Sequence, residues 1–379
     1  MTEPLTALAG AHEAEPGTVQ LLDPRGRRVE DPTYSPLVAD LDAEALRTMY
    51  RDMVVTRAFD NTATALQRQG ELGLWPPSLG QEGAQVGSAH ALAARDFVFP
   101  AYREHGVARV RGLDLGELLP VFRGVRHGGW DPAAHNFNIY TFVIGAHTLH
   151  AVGYALGIQR DGDVGTGDPA RDRAAVVYFG DGATSQGDTN EALVFAASNN
   201  APVVFFLQNN HWAISVPTTT QSRVPLVQRG AGFGIPSVRV DGNDVLACYA
   251  VTRAALERAR SGSGPTFVEA VTYRMGAHTT SDDPTRYRDR AEEDLWRERD
   301  PIARMRVHLR AEGLADDAFL ADVEDEAHAV ADAARAFCRG LEAPPTGAMF
   351  DHVYTADHPL VAAERAEAEA FEAAFEETR

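Results

Sequence analysis

The sequence predicts an α/β protein built on a parallel β-sheet that helices cover on both faces. Three short runs rich in β-branched and aromatic residues are typical of strands: "AAVVYF" (174–179), "PVVFFLQ" (202–208) and "TFVEAVTY" (266–273). Each run is almost continuously apolar, as is usual for a strand buried on both of its faces. Helix-length stretches, such as 188–199 and 244–260, lie between them, and this alternation favours parallel strands with helical connections.

The other elements can be assigned in chain order. A first helix is predicted within 41–70, where apolar residues recur at roughly helical spacing: Leu46, Met49, Met53, Phe59 and Leu66. A second helix and a short strand, Phe97 to Pro100, follow in "GQEGAQVGSAHALAARDFVFPAYREHG". In the helix predicted at 188–199, Asp188 and Glu191 have the spacing of a capping box.

Composition divides the chain into three predicted regions. Residues 1–40 are rich in proline, glycine and charge, which indicates an extended N-terminal arm. Residues 41–300 contain the alternating strands and helices of the α/β domain. Residues 301–379 are alanine- and glutamate-rich and strongly acidic, and they predict a helical C-terminal region.

Charge and residue usage exclude several function classes. The net charge of -19 argues against nucleic acid or an anionic membrane as the main partner. All 35 basic residues are arginine, so a P-loop lysine and a Schiff-base lysine are both excluded. The two cysteines are far apart, no apolar run could span a membrane, and the N-terminus lacks a signal or transit pattern. We therefore expect a cytoplasmic protein.

Polar residues follow two of the predicted strands at the point where each strand ends. Gly180-Asp181-Gly182 follows one strand, and Asn209-Asn210 follows the next after a gap of 26 residues. Ligands of parallel α/β sheets bind at the carboxyl ends of the strands, so these side chains should meet there. Carboxylate and amide oxygens suit Mg²⁺, which commonly bridges a protein to a diphosphate. Taken alone, the three residues 180–182 are also compatible with a purely structural turn.

Five blocks, in order, resemble the α subunit of two-subunit 2-oxo acid dehydrogenases. They are "AYREHG", "GDGATSQGD", "NNHWAISVPT", "RVDGNDV" and "TYRMGAHTTSDDPTRYR", and the similarity extends over roughly residues 45–310. The resemblance is closest to the branched-chain (2-oxoisovalerate) type. It implies a thiamine diphosphate-binding fold, here with an N-terminal arm and a helical C-terminal tail.

The resemblance also implies the roles of particular residues. Mg²⁺ would be held by Asp181, Asn210 and the main-chain carbonyl of Trp212. Tyr102 and Arg103 would grip the diphosphate, and an arginine suits this task because its planar fork meets phosphate oxygens at two points. The full set of implied cofactor-binding residues is Tyr102, Arg103, Phe142, Ile144, Gly180, Asp181, Gly182, Ala183, Asn210, Ile214 and His278.

Two of these residues have further implied roles. His278 is the candidate catalytic residue, and both proton donation and phosphate binding stay open for it. Ile144 matches an apolar residue that supports the thiazolium ring. Its alternative role is ordinary core packing.

The sequence departs from the closest relatives at several positions. Phe142 stands where they have serine, and Ala146-His147 stand where they have the Thr-Gln pair that takes part in potassium binding, so no potassium site is predicted. His147 and His150 are spaced for one helix face, but without a third ligand we expect packing or a subunit contact. Gln208 replaces an arginine, and Thr279 and Asp289 replace regulatory phosphoserines, so that regulation is not expected.

The implied function is oxidative decarboxylation of 2-oxoisovalerate-type acids with acyl transfer to a lipoyl group. No glutamate matches the one that activates the cofactor, which in this family comes from the β subunit, so the resemblance implies an α2β2 heterotetramer docked on a lipoyl acyltransferase core. A pyruvate dehydrogenase α subunit is an alternative, because such subunits share most of the motifs. A self-sufficient thiamine diphosphate enzyme and a non-catalytic binding protein are the alternatives from other classes.

Overall fold

A computed structural model of the chain describes residues 17–126 and 129–376. The strands are β1 Thr18–Val19, β2 Phe97–Phe99, β3 Ala175–Gly180, β4 Val203–Asn209, β5 Trp212–Ala213, β6 Val216–Pro217, β7 Ser237–Asp241 and β8 Thr266–Val271. The helices are α1 Ala43–Arg68, α2 Glu82–His90, α3 His105–Val110, α4 Leu119–Arg123, α5 Pro132–His135, α6 Ala146–Asp161, α7 Gly187–Asn199, α8 Thr218–Gln221, α9 Val227–Gly232, α10 Val245–Arg260, α11 Arg290–Arg297, α12 Pro301–Ala311, α13 Asp317–Gly340 and α14 Pro359–Glu376. Short 3₁₀ turns cover Ser35–Val38, Leu115–Leu118, Asp181–Ser185, Pro284–Arg286 and Thr346–Phe350.

Six strands form one parallel sheet in the order β1-β7-β8-β4-β3-β2. The strands predicted near 174–179, 202–208 and 266–273 lie next to one another in its centre, as β3, β4 and β8. Strand β7 and the edge strand β1 were not predicted. Strands β5 and β6 form a separate antiparallel pair. The predicted parallel α/β architecture is confirmed.

Alternate side chains of each central strand enter different core clusters. In β3, Val176 and Tyr178 pack with residues of α1, α2 and α10, whereas Val177 and Phe179 pack with residues of α6 and α7. The same alternation separates Phe206 from its neighbours in β4. Helices bury both faces of the sheet, and this explains why the three strand sequences are apolar at almost every position.

Residues on both sides of the predicted region boundaries pack on the α/β core. Leu21 and Leu22 are fully buried, and the Asp244 carboxylate accepts hydrogen bonds from both of their amides, at 2.6 and 2.5 Å. Helices α12 and α13 contribute Met305 and Val323 to the core cluster that also contains α1 residues. Residues 1–16 of the predicted arm lie outside the described residues. The division into three regions stays a prediction.

The predicted capping box at the start of α7 is wrong. The helix begins at Gly187, its N-cap is Gln186, and no side chain caps it. Asp188 is already the second helical residue, because the 3₁₀ turn Asp181–Ser185 leads almost directly into α7. The carboxylate still lies in the first turn, where a negative charge is favourable.

No described helix is both long enough and apolar enough to cross a bilayer.

Candidate active site

The predicted site residues surround one cavity at the carboxyl edge of the sheet. Strand β3 ends at Gly180 and β4 at Asn209, so the residues that follow them emerge side by side. The cavity has a volume of about 270 Å³. Every predicted site residue except Phe142 lines it, namely Tyr102, Arg103, Ile144, Gly180, Asp181, Gly182, Ala183, Asn210, Trp212, Ile214 and His278.

Asp181 is a buried carboxylate whose hydrogen-bond partners are all neutral. It is 2% exposed, and its Oδ2 accepts from Gln221 Nε2 at 2.9 Å and from Thr218 Oγ1 at 3.5 Å. Burial raises the pKa of Asp181, and the hydrogen bond from Gln221 only partly offsets that effect. Among the described residues no basic side chain forms an ion pair with it, so this carboxylate is free to meet a cation in the cavity.

The loop after β4 presents two further oxygen atoms to the cavity. Asn210 donates from Nδ2 to Gln81 Oε1 at 3.2 Å, and its Oδ1 accepts from the Trp212 amide at 3.3 Å. The Trp212 carbonyl accepts from Arg274 Nη1 at 3.0 Å. A carboxylate, an amide oxygen and a carbonyl oxygen are the hard donors that Mg²⁺ prefers. The donor set therefore fits the predicted metal, which the resemblance assigned to Asp181, Asn210 and Trp212.

The turns after β3 and β4 pack so closely that a side chain at Gly182 is excluded. A Cβ built on Gly182 would lie 2.9 Å from the Cβ of Ala213. Ile214, next along the chain, has a φ of 55°, which is a strained conformation for a β-branched residue. Arg274 Nη2 donates to the Ile214 carbonyl at 2.7 Å and so helps to hold this conformation.

Two buried arginines converge on His278. Arg103 donates to the carbonyls of Pro77 and His278, the latter at 2.8 Å. Its Nη2 lies 3.3 Å from His278 Nδ1, and Arg274 Nη1 lies 3.4 Å from the same nitrogen. Neither arginine forms an ion pair with a carboxylate of the described residues. These two guanidinium groups therefore have no carboxylate partner of their own, which suits an anionic ligand beside them.

His278 is a neutral imidazole in this arrangement. Burial and the two guanidinium groups of Arg103 and Arg274 lower its pKa to about 3. Both guanidiniums can only donate, so Nδ1 accepts and the ring proton lies on Nε2. Its loop is held in place by Asp282, which accepts from the His278 amide at 2.8 Å.

The apolar residues of the predicted site lie at its rim. Ile144 lines the cavity and is 41% exposed. Phe142 is 47% exposed and stands outside the cavity lining, with its ring stacked on Tyr102 at a centroid distance of 5.9 Å. The side chain of Phe142 thus lies outside the cavity, between Tyr102 and the buried ring of Phe122, whose centroid is 5.7 Å away.

Several cavity residues were missed in the sequence. Gln81 precedes α2, and Glu104 and Gln208 form a buried pair in which Gln208 Nε2 donates to Glu104 Oε1 at 2.6 Å. Burial raises the pKa of Glu104 to about 7. Glu104 lies within the block "AYREHG", and Gln208 is one of the positions at which the sequence departs from related enzymes. Gln81 gave no local signal beyond its place between a glycine and a helix.

His147 packs against strand β3 and also lines the cavity, and its predicted role in packing or a subunit contact stays a prediction. It is buried, and its Nε2 donates to the Tyr178 carbonyl at 2.7 Å. Burial lowers its pKa to about 4. No group of three or more His, Cys, Asp or Glu residues that could hold a metal occurs in the described part of the chain.

Comparison with known proteins agrees with the geometry. Residues 50–341 match the family described as the dehydrogenase E1 component. The 3-methyl-2-oxobutanoate dehydrogenase subunit alpha of Mycobacterium tuberculosis (strain H37Rv) is 49% identical over 297 residues, which are 78% of each chain. The pyruvate dehydrogenase E1 component subunits alpha of Staphylococcus epidermidis (strain RP62A) and Staphylococcus aureus (strain COL) are each 40% identical over 298 residues, 78% of this chain and 77% of theirs. The chain belongs to the dehydrogenase E1 component family, whose members depend on thiamine diphosphate.

Proposed function

We propose that this chain is the α subunit of a branched-chain 2-oxo acid dehydrogenase. It would take part in oxidative decarboxylation of 2-oxoisovalerate-type acids, with acyl transfer to the lipoyl group of a dihydrolipoyl acyltransferase. Relatives named for 3-methyl-2-oxobutanoate, which is 2-oxoisovalerate, are 49% identical, whereas those named for pyruvate are 40% identical. The higher identity supports the branched-chain substrate over pyruvate.

The observation that carries the cofactor assignment is the unbalanced charge of the cavity. Asp181 is a buried anion with only neutral partners, while Arg103 and Arg274 are buried cations without a carboxylate partner in the described residues. Unpaired buried charges are costly, so such an arrangement calls for a ligand that carries both signs. Mg²⁺ on a diphosphate is such a ligand.

The residues of the chain then have separate tasks. The oxygens of Asp181, Asn210 and the Trp212 carbonyl would hold Mg²⁺, and Arg103 would bind the diphosphate. The backbone amides of residues 182–183 line the cavity and would bind the diphosphate, as in other anion nests, while the absent Cβ of Gly182 leaves room for Ala213. When bound, thiamine diphosphate supplies the carbon nucleophile and the electron sink that decarboxylation of a 2-oxo acid needs.

His278 would act as a hydrogen-bond donor from Nε2. Its Nδ1 is directed at two guanidinium groups, so only Nε2 is available to a ligand or substrate. A neutral imidazole can donate to a phosphate oxygen or to the oxygen of a 2-oxo acid. An anion that neutralises Arg103 and Arg274 would raise the pKa of His278 and make proton transfer accessible near neutral pH.

A second subunit would complete the site. The activating glutamate is expected from a β subunit in an α2β2 heterotetramer, which would dock on a lipoyl acyltransferase core in the cytoplasm. Exposed apolar side chains lie on segments that border the cavity, namely Phe142, Val143, Ile214 and Val216. Exposed apolar clusters mark interaction surfaces, which supports a partner chain at this edge.

The proposal is tested on the enzyme reconstituted from this chain and its β partner. We expect thiamine diphosphate and Mg²⁺ to support lipoyl acylation, with kcat/KM for 2-oxoisovalerate above that for pyruvate. A higher kcat/KM for pyruvate would identify a pyruvate dehydrogenase α subunit instead. Full activity of this chain alone would indicate a self-sufficient enzyme, and cofactor binding without turnover in the complex would indicate a binding protein.

A further inference from the structure

Gln81 is a buried cavity residue that neither the sequence motifs nor the proposed metal and diphosphate ligands include. Its side chain is 1% exposed, yet it lines the same cavity as Asp181, Arg103 and Asn210. It is the N-cap residue of α2, but its side chain makes no capping hydrogen bond. Its amide group is therefore directed to the cavity side rather than to its own helix.

The backbone around Gln81 is fixed by tight packing. Gly80 has a φ of 93°, and a Cβ added there would lie 2.4 Å from the Tyr273 carbonyl. The Gly80 carbonyl accepts from Thr272 Oγ1 at 2.7 Å, and its amide donates to the Glu82 carboxylate at 3.0 Å. The loop before α2 is thereby clamped to the chain that follows β8, so the Gln81 side chain has a set direction.

The side-chain amide of Gln81 has a hydrogen-bond partner at its oxygen but none at its nitrogen. Its Oε1 accepts from Asn210 Nδ2 at 3.2 Å, which leaves the two N–H groups of Nε2 for another partner. Within the described ranges, Nε2 is buried and has no hydrogen-bond partner. Buried donors are nearly always paired in folded proteins, so an acceptor is expected in the cavity.

We propose that Gln81 is a further cofactor-binding residue, whose Nε2 donates to an anionic diphosphate oxygen while its Oε1 sets the orientation of Asn210. This inference rests on the proposed function. Gln81 Nε2 can only donate a hydrogen bond, so its partner must be an acceptor. Arg103 lines the same cavity without a carboxylate partner, so its positive charge favours anionic oxygens there. The hydrogen bond from Asn210 Nδ2 to Gln81 fixes which side of the Asn210 amide is nitrogen, so Oδ1 is turned towards the metal side.

Two substitutions separate the donor from the acceptor. Gln81→Met removes both, and Gln81→Glu keeps an acceptor for Asn210 Nδ2 but removes the donor. Thr252→Val is the matched control, because Thr252 Oγ1 is also buried without a described partner but lies in α10, away from the cavity. The full chain is used in complex with its β partner, with Mg²⁺ held constant.

The measurement is binding, followed by quenching of tryptophan fluorescence, since Trp212 lines the cavity. We expect Gln81→Met and Gln81→Glu to raise the Kd of thiamine diphosphate about ten-fold or more, because each loses a hydrogen bond to a charged group. The affinity for inorganic pyrophosphate, measured by competition, should fall by a similar factor. Only Gln81→Met should need more Mg²⁺ for half-maximal binding, and Thr252→Val should bind like the wild type.

Three results would overturn the assignment. Folded Gln81→Met or Gln81→Glu protein that binds thiamine diphosphate within about two-fold of wild type removes the donor role. Weaker binding of thiamine diphosphate with unchanged binding of pyrophosphate would show that the Gln81 amide contacts another part of the cofactor. An equal Mg²⁺ requirement in both variants removes the orienting role for Asn210. If the wild-type complex fails to bind thiamine diphosphate, the proposed function fails, which is a separate outcome.

Discussion

The ends of strands β3 and β7 each carry an aspartate, buried at Asp181 and partly buried at Asp241, and the two have partners of different charge. Asp241, at the end of β7, accepts from Arg304 Nη1 at 2.7 Å and from Gln20 Nε2 at 2.8 Å. Asp181, just after β3, accepts from the side chains of Gln221 and Thr218, and from no arginine of the described residues. Burial alone would raise the pKa of Asp241, but Arg304 outweighs it and holds that pKa below its ordinary value. The pKa of Asp181 is raised.

The difference separates a carboxylate that is paired within the chain from one that is a candidate metal ligand. At β7 the cation is part of the chain, because Arg304 of α12 is 1% exposed and fills the site, while the neighbouring Asp244 holds the Leu21 and Leu22 amides. At β3 no basic side chain of the described chain forms an ion pair with Asp181, and the carboxylate faces a cavity. A buried ion pair that is complete holds elements together, whereas an incomplete one is a place for a ligand.

The largest expected effect is on cofactor binding at β3. Asp181→Ala should abolish Mg²⁺-dependent binding of thiamine diphosphate, because it removes the only charged ligand of the proposed metal. The free energy of unfolding of the apo protein should stay within about 1 kcal/mol of wild type, since no internal cation is left unpaired. Titration calorimetry and urea unfolding measure the two quantities. Asp188→Ala is the control, because Asp188 is an exposed acid nearby. If Asp181→Ala binds the cofactor as tightly as the wild type does, the turn after β3 has only a structural role.

The corresponding change at β7 should act on stability. Arg304→Met leaves the partly buried Asp241 without its cation, which should lower the free energy of unfolding by about 3 kcal/mol, the lower end of the range for a broken buried ion pair. The double variant Asp241→Leu with Arg304→Met should lose less, because only the single variant leaves the Asp241 carboxylate without its cation. Urea unfolding at pH 7 checks both. A single variant as stable as the double would contradict the distinction drawn between the two aspartates.

Arg103 tests the anionic side of the β3 site. Arg103→Ala should weaken thiamine diphosphate binding by about 1.5–3 kcal/mol, which is the usual contribution of a hydrogen bond to a charged group. Arg103→Lys should recover part of this loss, because the charge is kept and the planar fork is not. Equilibrium binding to the αβ complex at fixed Mg²⁺ gives the comparison. Saturation of the alanine variant at wild-type cofactor concentrations would exclude Arg103 from the site.

The smallest expected effect is at the rim. Phe142→Ser removes a ring that stacks on Tyr102 outside the cavity lining, so the preference for 2-oxoisovalerate over pyruvate should rise by only a few-fold, less than the roughly ten-fold effect of a change inside an apolar pocket. Because Phe142 is half-exposed, stability should change by less than about 1 kcal/mol. The ratio of kcat/KM for the two acids is the measurement. An unchanged ratio would assign substrate choice to the β subunit.

Much of this molecule could be predicted from local patterns. The three continuously apolar runs specify central strands, and the residues directly after two of them had to lie at one edge of a parallel sheet. That reasoning placed Asp181 and Asn210 together, and the motifs added Arg103 and His278. The start of α7 could not be assigned correctly, because the 3₁₀ turn before it shifts the first helical residue.

The sequence by itself determined the fold class, the central strands and the position of the candidate ligands that follow them, since these depend on short apolar periods and on fixed positions beside strand ends. Only the tertiary structure decided which groups surround those ligands. Gln81 reaches Asn210 from 129 positions away, Arg274 holds the Trp212 carbonyl from 62 positions away, and Gln221 reaches Asp181 from 40. Such contacts arise from the packing of loops against one another, and no local propensity or periodicity encodes them.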